Sequence, residues 1–253
     1  MIHYHGSSIG GYSDEHHRFY DNRHVFVSFA RTEDMGIVAA HASSFAFDNG
    51  AYTAWRKGKK YDWRRYAQWC KDWCRHPGFD WCVIPDVIDG DEKQNDLMIS
   101  RFVNWDGWRG ERWHCRMAPV FHLHESLERL DRLVKGWDIV CLGSSGDYAT
   151  PGTESWWYRI SEIMRVACDD SGRPRTKLHG LRMLDARILE RLPLHSADST
   201  RAARRSVDTW MYGTYVPPTR AQRITVLADR IEQWKSAPRY IWQPIQQDLF
   251  TLG

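Results

Sequence analysis

Acidic side chains follow short apolar runs at three points of this chain, where they are placed to do chemistry. Asp48, Asp86 and Asp198 each stand at or just after the end of such a run. Two carboxylates that share a site support displacement at an anomeric carbon, because one can attack the sugar while the other handles the proton of the departing or arriving group. We therefore ask whether the fold brings these residues together.

Histidines support a second interpretation, a metal-dependent hydrolase. His3 and His5 form a His-x-His pair, and residues two apart on a strand point to the same side. The full ligand set would be similar to the amidohydrolase metal site and would comprise His3, His5, His122, His179 and Asp198. This alternative leaves Asp48 and Asp86 without a role.

The alternation of short apolar runs with amphipathic stretches predicts parallel strands joined by helices. The predicted strands cover residues 2–5, 25–29, 45–48, 81–86, 118–122, 139–143, 178–181 and 196–198. The predicted helices cover residues 62–75, 91–105, 125–137, 153–168 (with Thr153 as N-cap) and 219–236. Eight strands in about 200 residues favour an α/β fold of the (β/α)8 TIM type, whose site lies at the carboxyl ends of the strands.

Composition predicts one folded domain. The chain has 253 residues, 42% of them hydrophobic and 26% charged, and we expect a single domain over 1–253 with 206–253 as a C-terminal extension packing on the barrel. No apolar stretch approaches the roughly 20 residues needed to span a membrane, and no signal sequence is recognisable. We therefore expect a cytoplasmic protein without a membrane partner. The six cysteines form no Cys-x-x-Cys pair, which favours buried free thiols over disulfides or a zinc site.

Positive charge is concentrated late in the chain. Residues 173–205 contain nine basic and three acidic residues, within a chain of net charge +3. A local basic region suits a polyphosphate partner, although a solvated surface would give the same pattern.

Two motifs resemble the tRNA-guanine transglycosylase superfamily. Residues 47–52, Phe-Asp-Asn-Gly-Ala-Tyr, resemble the family's Asp-Ser-Gly-Gly-Phe segment, and residues 198–204 resemble its nucleophile segment, an Asp followed by Thr-Arg and a second Arg. Asp86 is similar in position to the Asp that recognises guanine, and 142–146 and 179–181 fall where the family has glycine-containing strand ends. The resemblance covers about residues 40–205 and is closer to compact phage and prophage relatives thought to place 7-deazaguanines in DNA.

This resemblance implies a base exchange that replaces guanine in a nucleic acid with a 7-deazaguanine, without a cofactor or metal. Asp198 would be the nucleophile and Asp48 the general acid/base. The residues expected to bind the base are Asp86, His122, Gly143, Ser144, Ser145, His179 and Gly180, and those expected to meet phosphates are Arg182, Arg201, Arg204 and Arg205.

Two departures from the family pattern affect the expected partners. No cysteine follows Cys168, so we expect the zinc subdomain of the tRNA enzymes to be absent and DNA to be preferred over tRNA. His122 stands where the family often has a base-contacting Gln, which leaves the identity of the incoming base open.

A paralogue that binds nucleic acid without catalysis is the third interpretation.

Overall fold

The fold is a closed parallel barrel. The computed structural model describes residues 1–7, 18–108 and 115–242. The strands are β1 (Ile2–Gly6), β2 (His24–Ser28), β3 (Ser44–Asp48), β4 (Phe79–Val83), β5 (Met117–Ala118), β6 (Val120–His122), β7 (Ile139–Gly143), β8 (Lys177–Gly180) and β9 (Ser196–Ser199). Their order is β5-β4-β3-β2-β1-β9-β8-β7-β6, and every pairing is parallel.

A proline lies at the point where the barrel closes. Pro119 separates β5 from β6 because it has no N–H to give to the sheet. On one side Ile84 N–H donates to the Ala118 carbonyl (2.8 Å), and on the other Cys141 N–H donates to the Pro119 carbonyl (2.9 Å). β5 and β6 therefore act as one interrupted strand, and the prediction of a (β/α)8 TIM-type barrel is confirmed.

The helices lie between the strands. They are α1 (Met35–His41), α2 (Ala51–Arg56), α3 (Trp63–Trp73), α4 (Glu92–Val103), α5 (Leu127–Gly136), α6 (Glu154–Ala167), α7 (Ala186–Leu189), α8 (Arg201–Arg205) and α9 (Arg220–Glu232). The five predicted helices correspond to α3, α4, α5, α6 and α9. Thr153 caps α6 as predicted, with its side chain accepting from the Trp156 N–H. No helix among the described residues is long and apolar enough to cross a membrane.

Apolar side chains fill two layers on opposite faces of the sheet. The barrel interior is packed by Tyr4, Phe26, Trp81, Val120 and Cys141 together with smaller residues. The larger layer lies between sheet and helices, and there Trp69 of α3 stacks on Phe47 with 3.8 Å between ring centroids. All six cysteines are buried free thiols, as predicted.

Helix α9 covers the outer face of β1. Glu232 at its end accepts from His5 Nε2 (2.9 Å) and lies 3.0 Å from Arg23 Nε. Its neighbour Asp229 pairs with the same arginine. This helix belongs to the segment 206–253 that was expected to pack on the barrel, and residues 243–253 of that segment lie outside the described ones.

Candidate active site

Six polar or glycine residues share the interior of the barrel at its carboxyl end. Side chains alternate along a strand, so residues two apart point the same way. Ala46 and Val120 belong to the interior layer, which puts Asp48 and His122 on the inside two residues later. The same alternation turns Gly143, His179 and Asp198 inward. Asp86 follows β4 at the same end.

Asp48 carries a perturbed carboxyl group. Its pKa is raised to about 6, mainly by burial, with a hydrogen bond from Ser28 opposing the shift and the charge of Asp198 adding to it. The charge of Asp86 contributes in the same direction. The negative charges of Asp198 and Asp86 are thus close enough to Asp48 to affect its ionisation. Strand alternation turns Asp48 and Asp198 into the barrel interior at the same end.

Asp198 is oriented by two contacts to one of its oxygens. Oδ1 accepts from the Arg182 backbone N–H (2.8 Å) and lies 3.4 Å from His179 Nε2. Within residues 1–7, 18–108 and 115–242, no group donates to Oδ2. One oxygen of the side chain is thus held by the protein, while the other accepts no hydrogen bond from the described residues, as suits an attacking carboxylate.

His179 lies at the centre of the barrel beneath Asp198. It is fully buried, and its Nδ1 shares a hydrogen bond with the Ser196 hydroxyl (2.9 Å). The ring packs edge-on against Trp81 at 4.8 Å between centroids. Nε2 has no hydrogen-bond partner among the described residues. This histidine lies next to the nucleophile candidate, and its expected part in base binding stays a prediction.

Asp86 and His122 form a buried polar pair on the opposite side of the mouth. His122 Nε2 lies 2.9 Å from Asp86 Oδ2, and Asn49 donates to Asp86 Oδ1 (2.7 Å). Asn49 also donates to the Ile84 carbonyl (2.8 Å). The residue next to Asp48 therefore ties the loop after β3 to the loop after β4.

A second buried network holds the His122 backbone. Glu125 accepts from the His122 N–H (2.8 Å) and from Arg129 Nη1 (2.5 Å). Its other oxygen accepts from Asn95 (2.9 Å), which in turn accepts from the Val87 N–H (2.8 Å). Glu125 and Arg129 are both almost fully buried, so the loops that carry Asp86 and His122 are rigidly joined.

The glycine-rich segment that begins at the end of β7 contains residues of two kinds. Gly143 faces the barrel interior, whereas the hydroxyls of Ser144 and Ser145 are hydrogen-bonded to other parts of the protein. A side chain at Gly143 would come within 3.5 Å of His122 Nδ1, so the glycine leaves room beside that ring. The hydroxyl of Ser145 is hydrogen-bonded to His124 Nδ1 (2.8 Å), and that of Ser144 accepts from Trp156 Nε1 (3.0 Å). Both serine hydroxyls are therefore engaged by the protein itself.

A side chain at Gly180 would point into the outer layer, and the expected part of this glycine in base binding stays a prediction. His179 points inward, and its neighbour must point outward. A Cβ at 180 would lie 2.7 Å from Met183 Cβ and 2.8 Å from Leu194 Cδ1, both in the outer layer. The glycine allows close packing there.

Arg182 spans the mouth. Its guanidinium lies 3.5 Å from the centroid of the ring of Tyr52, the second residue of α2. The backbone of Arg182 has a φ of 60°, an uncommon value for a residue with a side chain. That conformation brings its N–H to Asp198 while the side chain reaches across to the β3 side.

The remaining arginines separate into two groups. Arg201 pairs with Asp185 (Nη1–Oδ2, 2.6 Å) and so contacts the loop after β8, while its expected contact with a phosphate stays a prediction. Arg204 and Arg205 are exposed on α8. Arg205 makes an ion pair with the neighbouring Asp208 (2.9 Å).

The ligand set of the hydrolase alternative is wrong, because its members lie on both sides of the sheet. Tyr4 belongs to the barrel interior, so His3 and His5 point outward. His3 Nε2 contacts the Trp234 carbonyl (2.8 Å), and His5 contacts Glu232. Neither can meet His122 or Asp198 inside. Within the described residues no three His, Cys, Asp or Glu side chains are grouped as metal ligands.

Comparison with known proteins supports the fold alone. No family model matches the chain, and a search of curated proteins finds no significantly similar sequence. Among solved structures it is similar to the YdjI aldolase from Escherichia coli K12, with a TM-score of 0.55 over 93% of this chain and 91% of that one. The two are 9% identical, so this similarity says that both are barrels.

Three residues of the site were not predicted as members of it. Tyr52 could have been found, because it follows Asp48 by four residues and a helix begins between them. Asn49 could have been inferred only as a neighbour of Asp48. Ser28 gave no signal, since its contact with Asp48 depends on the pairing register of β2 with β3.

Proposed function

We propose that this protein is a base-exchange transglycosylase that replaces guanine in a nucleic acid, with DNA preferred, by a 7-deazaguanine. One observation carries the proposal: Asp48 and Asp198 both turn into the barrel interior at its carboxyl end, and the pKa of Asp48 is raised to about 6, in part by the charge of Asp198. An acid/base that works in both directions near neutral pH needs such a pKa. Asp198, with one oxygen fixed and one open, is the nucleophile.

In the first half-reaction Asp198 Oδ2 attacks C1′ of the target nucleoside. The C1′–N9 bond breaks, its electron pair goes to the departing guanine, and protonated Asp48 supplies the proton to that base. The products are a glycosyl ester on Asp198, a free guanine and an ionised Asp48.

The second half-reaction reverses these steps with another base. Asp48, now a carboxylate, takes the proton from N9 of the incoming 7-deazaguanine. N9 attacks C1′, and the Asp198 carboxylate leaves. The enzyme returns to its starting protonation state, so no cofactor is consumed.

Base recognition is assigned to Asp86 and His122. A carboxylate accepts from the N1–H and amino group of a guanine edge, and an imidazole N–H donates to its carbonyl. The pair is already held by Asn49 and Glu125, so little order has to be gained on binding. Gly143 leaves the space that the flat ring needs beside His122.

His179 is assigned a positioning role. Its Nε2 lies 3.4 Å from the oxygen of Asp198 that does not attack. Ser196 orients the ring from the other side. The imidazole would steady the carboxylate when it forms the ester and when it leaves.

Incorporation of labelled guanine into single-stranded DNA, duplex DNA and tRNA tests this function. We expect release of unlabelled guanine and uptake of label, with DNA as the better substrate. Asp48→Asn should slow the exchange by about 10²- to 10⁴-fold, the usual contribution of a positioned acid/base. Binding of the polymers without any exchange by the wild-type protein would instead identify a non-catalytic nucleic-acid-binding paralogue.

A further inference from the structure

Two large aromatic side chains are exposed beside the mouth of the barrel. Trp210 is 74% exposed in the short 3-10 helix Thr209–Tyr212, and Tyr215 is 71% exposed in the loop that follows it. Val207 of the same segment is 64% exposed. Apolar surface of this size on a fixed segment commonly marks a binding surface.

The segment is held at the carboxyl end of the barrel. It begins with α8, directly after β9, and ends where α9 starts. Glu232 of α9 contacts His5, and Trp234 contacts His3, so the chain runs antiparallel to β1 in this region. The beginning of α9 therefore lies at the mouth end, where Asp198 is found.

Internal hydrogen bonds fix this segment, so the exposed rings project from a rigid base. Tyr212 is buried, and its hydroxyl lies 3.3 Å from the Ser206 carbonyl. Arg230 donates to the Met211 carbonyl (2.6 Å), and Arg223 donates to the Ser206 carbonyl (2.9 Å).

The charge around these rings identifies the kind of partner. Residues 201–223 contain five arginines and one acidic residue, Asp208. Arg204 and Arg205 are exposed on the helix that precedes the aromatic pair. Aromatic side chains beside arginines bind single-stranded nucleic acid, because rings stack on unpaired bases while the cations meet the phosphates. A duplex keeps its base faces covered.

We infer that Arg204, Arg205, Trp210 and Tyr215 form a rim that binds the single strand next to the target nucleoside. The inference rests on the proposed function, which places the reacting sugar at Asp198. It adds the form of the substrate: an unpaired strand, with bases beside the target stacked on Trp210 and Tyr215.

Binding of a fluorescent oligothymidylate of about 16 nucleotides tests the rim without base exchange, because the strand contains no guanine. We expect wild-type protein to bind it more tightly than a duplex of equal length. Trp210→Ala combined with Tyr215→Ala should weaken binding by about tenfold or more. Tyr158→Ala, which removes a ring that is 68% exposed on α6, is the matched control and should leave binding unchanged.

The charge contribution has its own test. Arg204→Gln with Arg205→Gln should reduce the slope of log K against log salt by about 1.4, or 0.7 for each phosphate contact in a single strand. Arg132→Gln with Lys135→Gln removes the same charge from exposed positions on α5 and should leave the slope unchanged.

Failure of the rim is distinguishable from failure of the proposed function. Unchanged oligothymidylate binding in the aromatic variant, or equal affinity for duplex, would overturn the inference even if guanine exchange occurs. A change in self-association with no change in oligonucleotide binding would overturn it too, and would assign the surface to a second copy of the chain. Weakened binding in a protein that exchanges no base would leave the rim standing and remove the proposed chemistry.

Discussion

At the mouth of the barrel, the carboxyl group of Asp48 lies in surroundings unlike those of an exposed aspartate. It lies among apolar strand residues and accepts a hydrogen bond from Ser28. The negative charges of Asp198 and Asp86 raise its pKa. Burial and like charge both oppose ionisation. The same conditions that prepare it to exchange a proton near neutral pH also reduce the stability of the fold when it is charged.

This cost is measurable as a pH dependence of stability. The folded-state pKa is about 6 against an ordinary value of 3.8 for an aspartate, so the stabilising contribution is complete below the unfolded value and is lost as pH rises through 6. Asp48→Asn cannot ionise. Relative to wild type, the variant should gain up to about 3 kcal/mol of unfolding free energy between pH 4 and pH 7.5.

Urea unfolding at a series of pH values measures this difference. Asp170→Asn, a change at an exposed position, is the control and should show a much smaller pH-dependent gain. A difference between Asp48→Asn and wild type that stays constant with pH would show that the fold does not oppose ionisation of the Asp48 carboxyl.

At the scale of elements, β8 both positions the site and packs the outer core. His179 and Gly180 are adjacent, yet one faces the cavity and the other faces Met183 and Leu194. The end of β8 places the His179 side chain in the barrel interior. The absence of a side chain at Gly180 leaves room for Met183 in the loop that follows. The glycine is required for packing.

Gly180→Ala should therefore act through stability. A Cβ at 2.7 Å from Met183 overpacks the layer, at a cost of about 1–3 kcal/mol. Gly36→Ala is the matched control, because a Cβ there meets no atom within 4 Å. Thermal unfolding distinguishes them; a Gly180→Ala variant as stable as Gly36→Ala would mean that the packing described around β8 is wrong.

Element positions could be predicted because strands and longer helices repeat with different periods. Helices α1, α2, α7 and α8 were not predicted, since four to seven residues are too few to show a helical repeat. Once His179 is turned inward, strand alternation predicts that position 180 faces the outer layer. Strand alternation alone could not show which way His3 and His5 point, because Tyr4 between them suits the barrel interior equally well.

At the scale of the molecule, the barrel gathers residues that are distant in sequence at one end. Asp48 and Asp198 come from β3 and β9, which are separated in the sheet by β2 and β1. The closed sheet turns their side chains toward one axis, and the arginine-rich segment after β9 lies at that same end. Chemistry and polymer binding can therefore occur side by side.

We propose that Asp198 forms a covalent bond with the sugar of a target nucleoside. The most direct test is intact-protein mass spectrometry after incubation with a guanine-containing single strand and a 7-deazaguanine, followed by denaturation. We expect an adduct in the wild-type protein, carried by the peptide that contains residue 198, and none in Asp198→Asn. An adduct that persists in Asp198→Asn, or that maps to another peptide, would contradict the account.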